Sequence, residues 1–271
     1  MNRPALPGIS LIVSTYNWIE ALDLCLISIS KQRILPDEVI IADDGSAEET
    51  KNLITRHQKN FPVPLIHVWQ QDDGFQLSKI RNKAIVKASK PYIVQIDGDL
   101  ILEKDFISDH MKFAGPGSFV SGTRVNMSSA LSSKLIKETN IKVSIFSKGI
   151  TNFSNGIKLP FLTDFLANRY KAGNITYVRG CNMAFWKTDL LKVNGYNEAI
   201  VGWGREDSEL AIRLINAGIK KRIIKFAAIT FHIYHPEIAR THLLVNDEIL
   251  NRTLKDAIKR CDLGISQYHQ D

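Results

Sequence analysis

Tyr92-Ile93-Val94-Gln95-Ile96-Asp97-Gly98-Asp99 is the stretch that decides the fold. Its apolar, β-prone run reads as a strand buried on both faces, and it stops at two carboxylates placed around a glycine. Upstream lie three runs of the same kind: Ile9-Ser10-Leu11-Ile12-Val13-Ser14, Val39-Ile40-Ile41-Ala42 and Leu65-Ile66-His67-Val68-Trp69. Helical patterns separate them. Asn17 stands three residues before Glu20, a capping-box spacing, and Ala21, Leu22, Cys25, Leu26 and Ile29 follow at helical intervals. Ser46 and Glu49 repeat that spacing and open a second helix, and Ser78 to Ala88 reads as a third. Strand and helix therefore alternate through the first hundred or so residues. This predicts an α/β fold with parallel strands joined by right-handed crossovers. Ligands bind such sheets beyond the carboxyl ends of the strands. The polar clusters at 14–17, 43–46 and 97–99 all fall at those ends, which puts them on one rim.

Downstream the pattern loosens from about 115 to 175, where Gly115-Pro116-Gly117 and many Ser and Asn predict loops with short helices. Order returns at Val178 to Trp186. A helix is expected from Glu206 to Ala217, with Leu210, Ala211, Leu214 and Ile215 on one face and Gly218 as its C′ residue. Ile223 to His232 reads as a further strand and Asn246 to Arg260 as a terminal helix.

With 271 residues, 44% of them apolar and 23% charged, the composition is that of an ordinary soluble globular protein. Met1-Asn2-Arg3-Pro4 leads directly into the first strand-like segment without a secretory pattern, and no apolar run is long enough to span a bilayer. Cys25, Cys181 and Cys261 are odd in number and lack metal-binding spacing. A cytoplasmic protein is expected. The net charge of +7 is uneven: residues 126–171 hold seven basic residues (Lys134, Lys137, Lys142, Lys148, Lys158, Arg169, Lys171) against Glu138 and Asp164. Such a stretch suits a phosphate, an anionic glycan or the inner face of an anionic membrane, or serves simply as a solvated insertion. Nucleic acid is excluded as a partner because no helix-turn-helix, zinc-finger or RNP-like pattern accompanies the charge.

The carboxylates carry the chemistry. Asp97-Gly98-Asp99 at a strand end suits a hard divalent cation, Mg²⁺ or Mn²⁺, shared with a diphosphate and completed by ligands from elsewhere. His232-Ile233-Tyr234-His235-Pro236 closes a strand and offers an imidazole to the same ion. Asp43-Asp44-Gly45-Ser46 places a carboxylate where it can accept from a base N–H or from ribose hydroxyls. Lys79 and Arg81, at a helix start, can meet phosphate. Gly202-Trp203-Gly204-Arg205-Glu206-Asp207 sets an indole between glycines and follows it with adjacent carboxylates. A flat apolar face with one N–H donor beside carboxylates suits a sugar, which shows both C–H faces and hydroxyls. No Walker-type loop or Ser/His/Asp arrangement is present in the sequence.

Taken in order, these segments resemble a known family. Val13-Ser14-Thr15-Tyr16-Asn17, Asp43-Asp44-Gly45-Ser46, Gln70 through Arg81-Asn82, and Asp97-Gly98-Asp99 are similar to the nucleotide-sugar half of a family 2 glycosyltransferase of the GT-A fold. Arg179-Gly180-Cys181-Asn182-Met183-Ala184-Phe185, Gly195-Tyr196-Asn197-Glu198 and Gly202 to Asp207 resemble the acceptor half of the galactosyltransferase-type branch. That branch includes bacterial chondroitin and heparosan-type polymerase modules. The resemblance implies a nucleotide-sugar half at 1–110, a basic acceptor-side insertion at 111–175, an acceptor half at 176–240 and a terminal helix at 241–271.

It further implies a UDP-sugar donor, a glycan or glycolipid acceptor in bacterial capsule or lipopolysaccharide assembly, and Mn²⁺ or Mg²⁺ as cofactor. Thr15, Tyr16, Asp44, Arg81 and Asp97 would contact the nucleotide, Arg81 by supporting the diphosphate or the acidic loop. Asp99, with Asp97, would hold the metal together with His235, whose His235-Pro236-Glu237 context resembles the polymerases; His232 is the alternate. Trp203 would floor the acceptor site, Glu206, Arg205 and Asn182 would bind the acceptor, and Asp207 would be the general base of an inverting transfer. A silent nucleotide-sugar or glycan-binding subunit and a nucleotidyltransferase are the alternative readings.

Overall fold

A computed structural model of the chain describes residues 6–236 and 241–268. In chain order the first half runs β1 (Ile9–Thr15), α1 (Ile19–Ser30), β2 (Glu38–Asp43), α2 (Glu48–Gln58), β3 (Leu65–Trp69), α3 (Leu77–Lys87) and β4 (Tyr92–Asp97). β1 and β2 are buried along their whole length, as strands covered by helices on both faces must be. β1 pairs in parallel with β2 on one side and β4 on the other, and β2 with β3. The register sets Ser14 beside Asp97 and Thr15 beside Asp43, so the acidic clusters do share one rim. The chain reverses its direction of travel across the sheet between β1 and β4, the place where open sheets bind ligands.

The second half contributes β5 (Leu100–Leu102), α4 (Phe106–Phe113), β6 (Ser118–Ser121), β7 (Val125–Met127), α5 (Ser129–Lys137), β8 (Ile150–Thr151), α6 (Pro160–Leu166), β9 (Asn182–Trp186), α7 (Lys187–Lys192), α8 (Glu206–Asn216), β10 (Lys220–Ile223), β11 (Thr230–His232) and α9 (Leu243–Lys255). The main sheet has the order β10-β6-β9-β4-β1-β2-β3, and β9 runs antiparallel between β4 and β6. A second sheet, β5-β11-β7-β8, closes beside it. Apolar side chains pack on both faces of the main sheet: Leu22, Leu26 and Phe106 on one, Ile80, Phe185 and Leu214 on the other.

Several expected elements differ. Asn17 and Ser46 are not helix caps: Asn17 takes φ +46°, its N–H donates to Ser46 Oγ (2.9 Å), and its Oδ1 accepts from Ala47 N (2.8 Å). The two polar side chains staple the β1 and β2 loops to each other instead. The segment expected as loops from 115 to 175 contains β6, a full member of the main sheet, and β7 and β8 of the second. The single strand expected from Ile223 to His232 is two strands in two sheets, because Phe226 and Ala228 adopt left-handed backbone that a strand cannot continue through. Lys158 of the basic stretch turns inward, against Glu103 (2.9 Å), Asp105 (2.7 Å) and Asp109 (3.3 Å), so its charge is spent on anchoring that stretch to the core. All three cysteines are buried thiols.

Candidate active site

At the rim, Asp44 is buried at the end of β2, with Oδ1 accepting from Gln70 Nε2 (2.6 Å) and Oδ2 from the Gln76 backbone N–H (2.8 Å). Burial pushes its pKa up to about 6 against the pull of those bonds. Its neighbour Asp43 is spent on structure: Oδ1 accepts from Ser46 N (2.8 Å) and Oδ2 meets His67 Nε2 (2.8 Å). Half-exposed Tyr16 donates its hydroxyl to Asp72 Oδ2 (2.9 Å), and Thr15 lies beneath with its carbonyl accepting from Asp44 N (3.0 Å). The acidic loop at 70–76 is thus held against Tyr16 and Asp44 at the rim.

Arg81 occupies the centre, 1% exposed. Its Nη2 donates to Asp97 Oδ1 (3.0 Å), Nη1 to Asp207 Oδ1 (3.0 Å) and Nε to Ser14 Oγ (3.2 Å), with Glu206 Oε1 at 4.0 Å. Of the two roles expected of Arg81, supporting the diphosphate or the acidic loop, its contacts are with carboxylates: it joins Asp97 at the end of β4 to Asp207 on α8. Burial alone would weaken its charge, but Asp207 and Asp97 outweigh it and hold it protonated. Asp207 Oδ1 also lies 3.0 Å from the Tyr196 hydroxyl, which is 2.8 Å from Gln95 Oε1; Gln95 Nε2 in turn donates to Gly180 O (3.1 Å). Gly180 closes the ring, because a β-carbon there would collide with Asp207 Oδ2. Glu206 is raised well above the usual carboxylate range by burial and by the charge of Asp207, and its Oε2 is buried without a hydrogen-bond partner among the described residues.

The second sheet builds a donor cluster. β5 starts just after Asp99, and β11 runs antiparallel to it with His232 opposite Leu100, while Ile233 N donates to Asp99 O (2.9 Å). That register brings His232 Nε2 to 3.2 Å and His235 Nε2 to 3.5 Å from Asp99 Oδ2. Asp99 Oδ1 is buried and has no partner among the described residues. His235 Nδ1 lies 2.7 Å from Pro236 O, which can only accept, so Nδ1–H donates there and Nε2 is the ring nitrogen that faces Asp99. An orphaned carboxylate oxygen and two convergent imidazoles fit a divalent ion, and mixed O/N donors suit Mn²⁺ better than Mg²⁺. Both histidines reach this point. Asp97 stands apart from the cluster, one oxygen committed to Arg81; Glu237 lies outside the described residues.

Trp203 is 37% exposed at the tip of a loop in which Gly202, Gly204 and Arg205 all take positive φ (+74°, +102° and +81°). Arg205 Nε pairs with Asp247 of α9, so that cation is turned to the helix. Asn182 does not face the cleft, contrary to expectation. It is fully buried, with Nδ2 donating to Thr123 O (3.0 Å) and Ala228 O (2.9 Å) and Oδ1 meeting His110 Nε2 (2.9 Å). Burial drives the His110 pKa down to about 4, so the imidazole is neutral and Nε2–H donates to Asn182.

The glycosyl transferase family 2 model matches residues 10–192, and the model for the N-terminal domain of galactosyltransferase matches residues 163–236. The chain belongs to glycosyl transferase family 2. The family 2 domain is 28% identical over 233 residues to chondroitin synthase of Pasteurella multocida (strain Pm70), an alignment covering 80% of this chain and 24% of that protein. It is 27% identical over 241 residues to chondroitin synthase of Escherichia coli, covering 83% of this chain and 34% of the relative. Against validoxylamine A glucosyltransferase of Streptomyces hygroscopicus subsp. limoneus the identity is 26%, covering 79% and 49%. The chain thus spans about a quarter to a half of the length of these relatives. Among solved structures it is similar to the mannosyltransferase PcManGT of Pyrobaculum calidifontis in complex with GDP-Man and Mn²⁺ (TM-score 0.62, 18% identity, 90% of this chain and 61% of that one). It also matches S. aureus TarS 1–349 (TM-score 0.63, 15% identity, 96% and 68%). These neighbours share the GT-A fold.

The sequence gives no reason to expect Tyr196, Gln95 and Gly180 around Asp207 in particular. Gln95 left one signal, a polar side chain inside an otherwise apolar strand. Tyr196 and Gly180 stand in segments that carry the family resemblance, but their contact with Asp207, 11 and 27 residues away, left no trace.

Proposed function

We propose that this domain is a metal-dependent, inverting transferase that moves a sugar from a UDP-sugar to a glycan or glycolipid acceptor in bacterial surface polysaccharide or lipopolysaccharide assembly. The observation that carries this is Arg81, which joins Asp97, two residues from the Asp99–His232–His235 cluster, to Asp207 beside the Trp203 loop. A donor site and an acceptor site therefore share one salt-bridged centre. The relatives named chondroitin synthase support the nucleotide-sugar assignment.

Asp207 is held by its Oδ1 to Arg81 and Tyr196, and takes the acceptor proton at Oδ2. The acceptor oxygen attacks the anomeric carbon from the face opposite the diphosphate, and the sugar–phosphate bond breaks as the new bond forms, which inverts the configuration. The hydroxyl becomes strongly acidic only as that bond forms, so a carboxylate suffices as base. Glu206, protonated at neutral pH, donates to an acceptor hydroxyl, and Trp203 offers its face to the sugar ring. A divalent cation held by Asp99, His232 and His235 would neutralise the charge gathering on the departing diphosphate.

The test is a panel of UDP-glucose, UDP-GlcNAc, UDP-glucuronate and GDP-mannose, each with Mn²⁺ or EDTA, read by thermal stabilisation and by slow hydrolysis. Stabilisation and nucleotide release with one or more UDP-sugars, only when Mn²⁺ is present, are expected. A response confined to GDP-mannose would remove the UDP assignment, and none from any nucleotide sugar would remove the transferase reading.

A further inference from the structure

We infer that α9, which lies beyond both family-model matches, belongs to the acceptor site: Asn246 and Asp247 are positioning residues that set the Trp203 loop and the start of α8. The inference rests on the transferase reading above for its functional meaning, but the contacts themselves stand alone. Asn246 is 1% exposed, and its Nδ2 donates both to Val201 O (3.0 Å) and to Gly204 O (3.0 Å). One side-chain amide therefore spans the two ends of the loop that carries Trp203. The task demands two N–H donors from one planar group, which Asp and Leu of similar size do not supply.

Asp247 follows at once and pairs with Arg205 Nε. Arg205 is a non-glycine residue at φ +81°, a conformation held only under outside restraint, and the next two residues are Glu206 and Asp207. The start of α9 closes on the loop's glycines, with a clash at Gly202 and a tight contact at Gly204. A β-carbon at Gly202 would lie 2.6 Å from His242 Nδ1, and one at Gly204 would lie 3.3 Å from Leu243 Cδ1. Farther along, Thr253 Oγ1 donates to Glu209 Oε1 (3.2 Å) and Asn216 Nδ2 to Thr253 O (3.3 Å), so α9 also rests on the helix that bears the base. A change at Asn246 therefore reaches the sugar platform and the base together, while among the described residues the side chain of Asp44 is bonded to Gln70 and Gln76 and not to α9.

Amide hydrogen exchange on the whole chain tests this, comparing Asn246→Leu and Asp247→Asn with the parent. Asp247 is partly exposed, so its variant keeps the fold even where Asn246→Leu does not. Protection of residues 200–207 should fall at least about tenfold in Asn246→Leu and measurably in Asp247→Asn, with β1 and β4 unchanged. Asp247→Glu should restore it. With UDP-GlcNAc as donor and a chondroitin hexasaccharide as acceptor probe, KM for the acceptor should rise while Mn²⁺-dependent UDP affinity stays the same. Unaltered protection at 200–207 in both variants overturns the inference, and so does an equal loss across all elements, which would make α9 a general brace. Absence of turnover in the parent chain would instead count against the transferase reading, and the exchange result would still decide whether α9 sets the loop.

Discussion

Arg81 gives two carboxylates different duties. Its Nη1 anchors Asp207, while burial first and the charge of Asp207 next raise the pKa of the adjacent Glu206 against the pull of Arg81 itself. Asp207→Asn should lower transfer by about 10²–10⁴-fold with Mn²⁺-dependent UDP binding unchanged, as measured by turnover and calorimetry. Near-normal turnover would remove Asp207 as base. Glu206→Gln, which keeps an N–H donor where the protonated acid had an O–H, should retain most activity, whereas Glu206→Ala should lose about tenfold through one missing hydrogen bond. Equal loss in both would mean that Glu206 works as an anion. The position of Glu206 and Asp207 at a helix start was legible in the sequence, because adjacent carboxylates there leave a local trace. The contacts of Arg81 were not, because they depend on partners 16 and 126 residues away.

Among the elements, those whose evidence is local read most clearly. β3 was expected at Leu65 to Trp69 and occurs there, since an apolar run between turns needs no distant partner to declare itself. β6 was missed: four residues, Ser118 to Ser121, become a strand only because β9 and β10 pair on either side. Asn182, at the head of β9, is expected at the acceptor on the family resemblance of its segment alone, and an amide looks alike in sequence whether it binds a sugar or two carbonyls. Its partner His110, on α4, predicts a pH dependence. The folded pKa of about 4 lies below the ordinary value near 6.5, so between those pH values the unfolded chain takes up a proton that the folded one refuses. The contribution is complete above about pH 6.5 and is lost as pH falls toward 4. Urea unfolding at pH 7.5 and 4.5 should show a drop that His110→Gln reduces by roughly 2–3 kcal/mol. Identical drops would show that His110 takes up its proton equally readily in the folded and unfolded chain.

At the scale of the whole molecule, the donor cluster depends on both sheets, because Asp99 follows β4 of one and His232 ends β11 of the other. Asp99→Ala should abolish the Mn²⁺-dependent gain in thermal stability with UDP, and EDTA should do the same to the parent chain. A shift that survives either treatment would place the cation elsewhere. No helix among the described residues is long and apolar enough to cross a membrane. The antiparallel β9 has a consequence for how the protein is made. β4 is complete at Asp97, yet the strand that covers its open edge begins only at Asn182. At roughly 5–20 residues per second, a ribosome leaves that edge bare for several seconds, during which it can template pairing with a neighbouring nascent chain. Residues 1–110 expressed alone should therefore aggregate, as judged by sedimentation, and a soluble monomeric fragment would show that the edge is protected some other way. Chaperone demand during synthesis is thus written into a strand order.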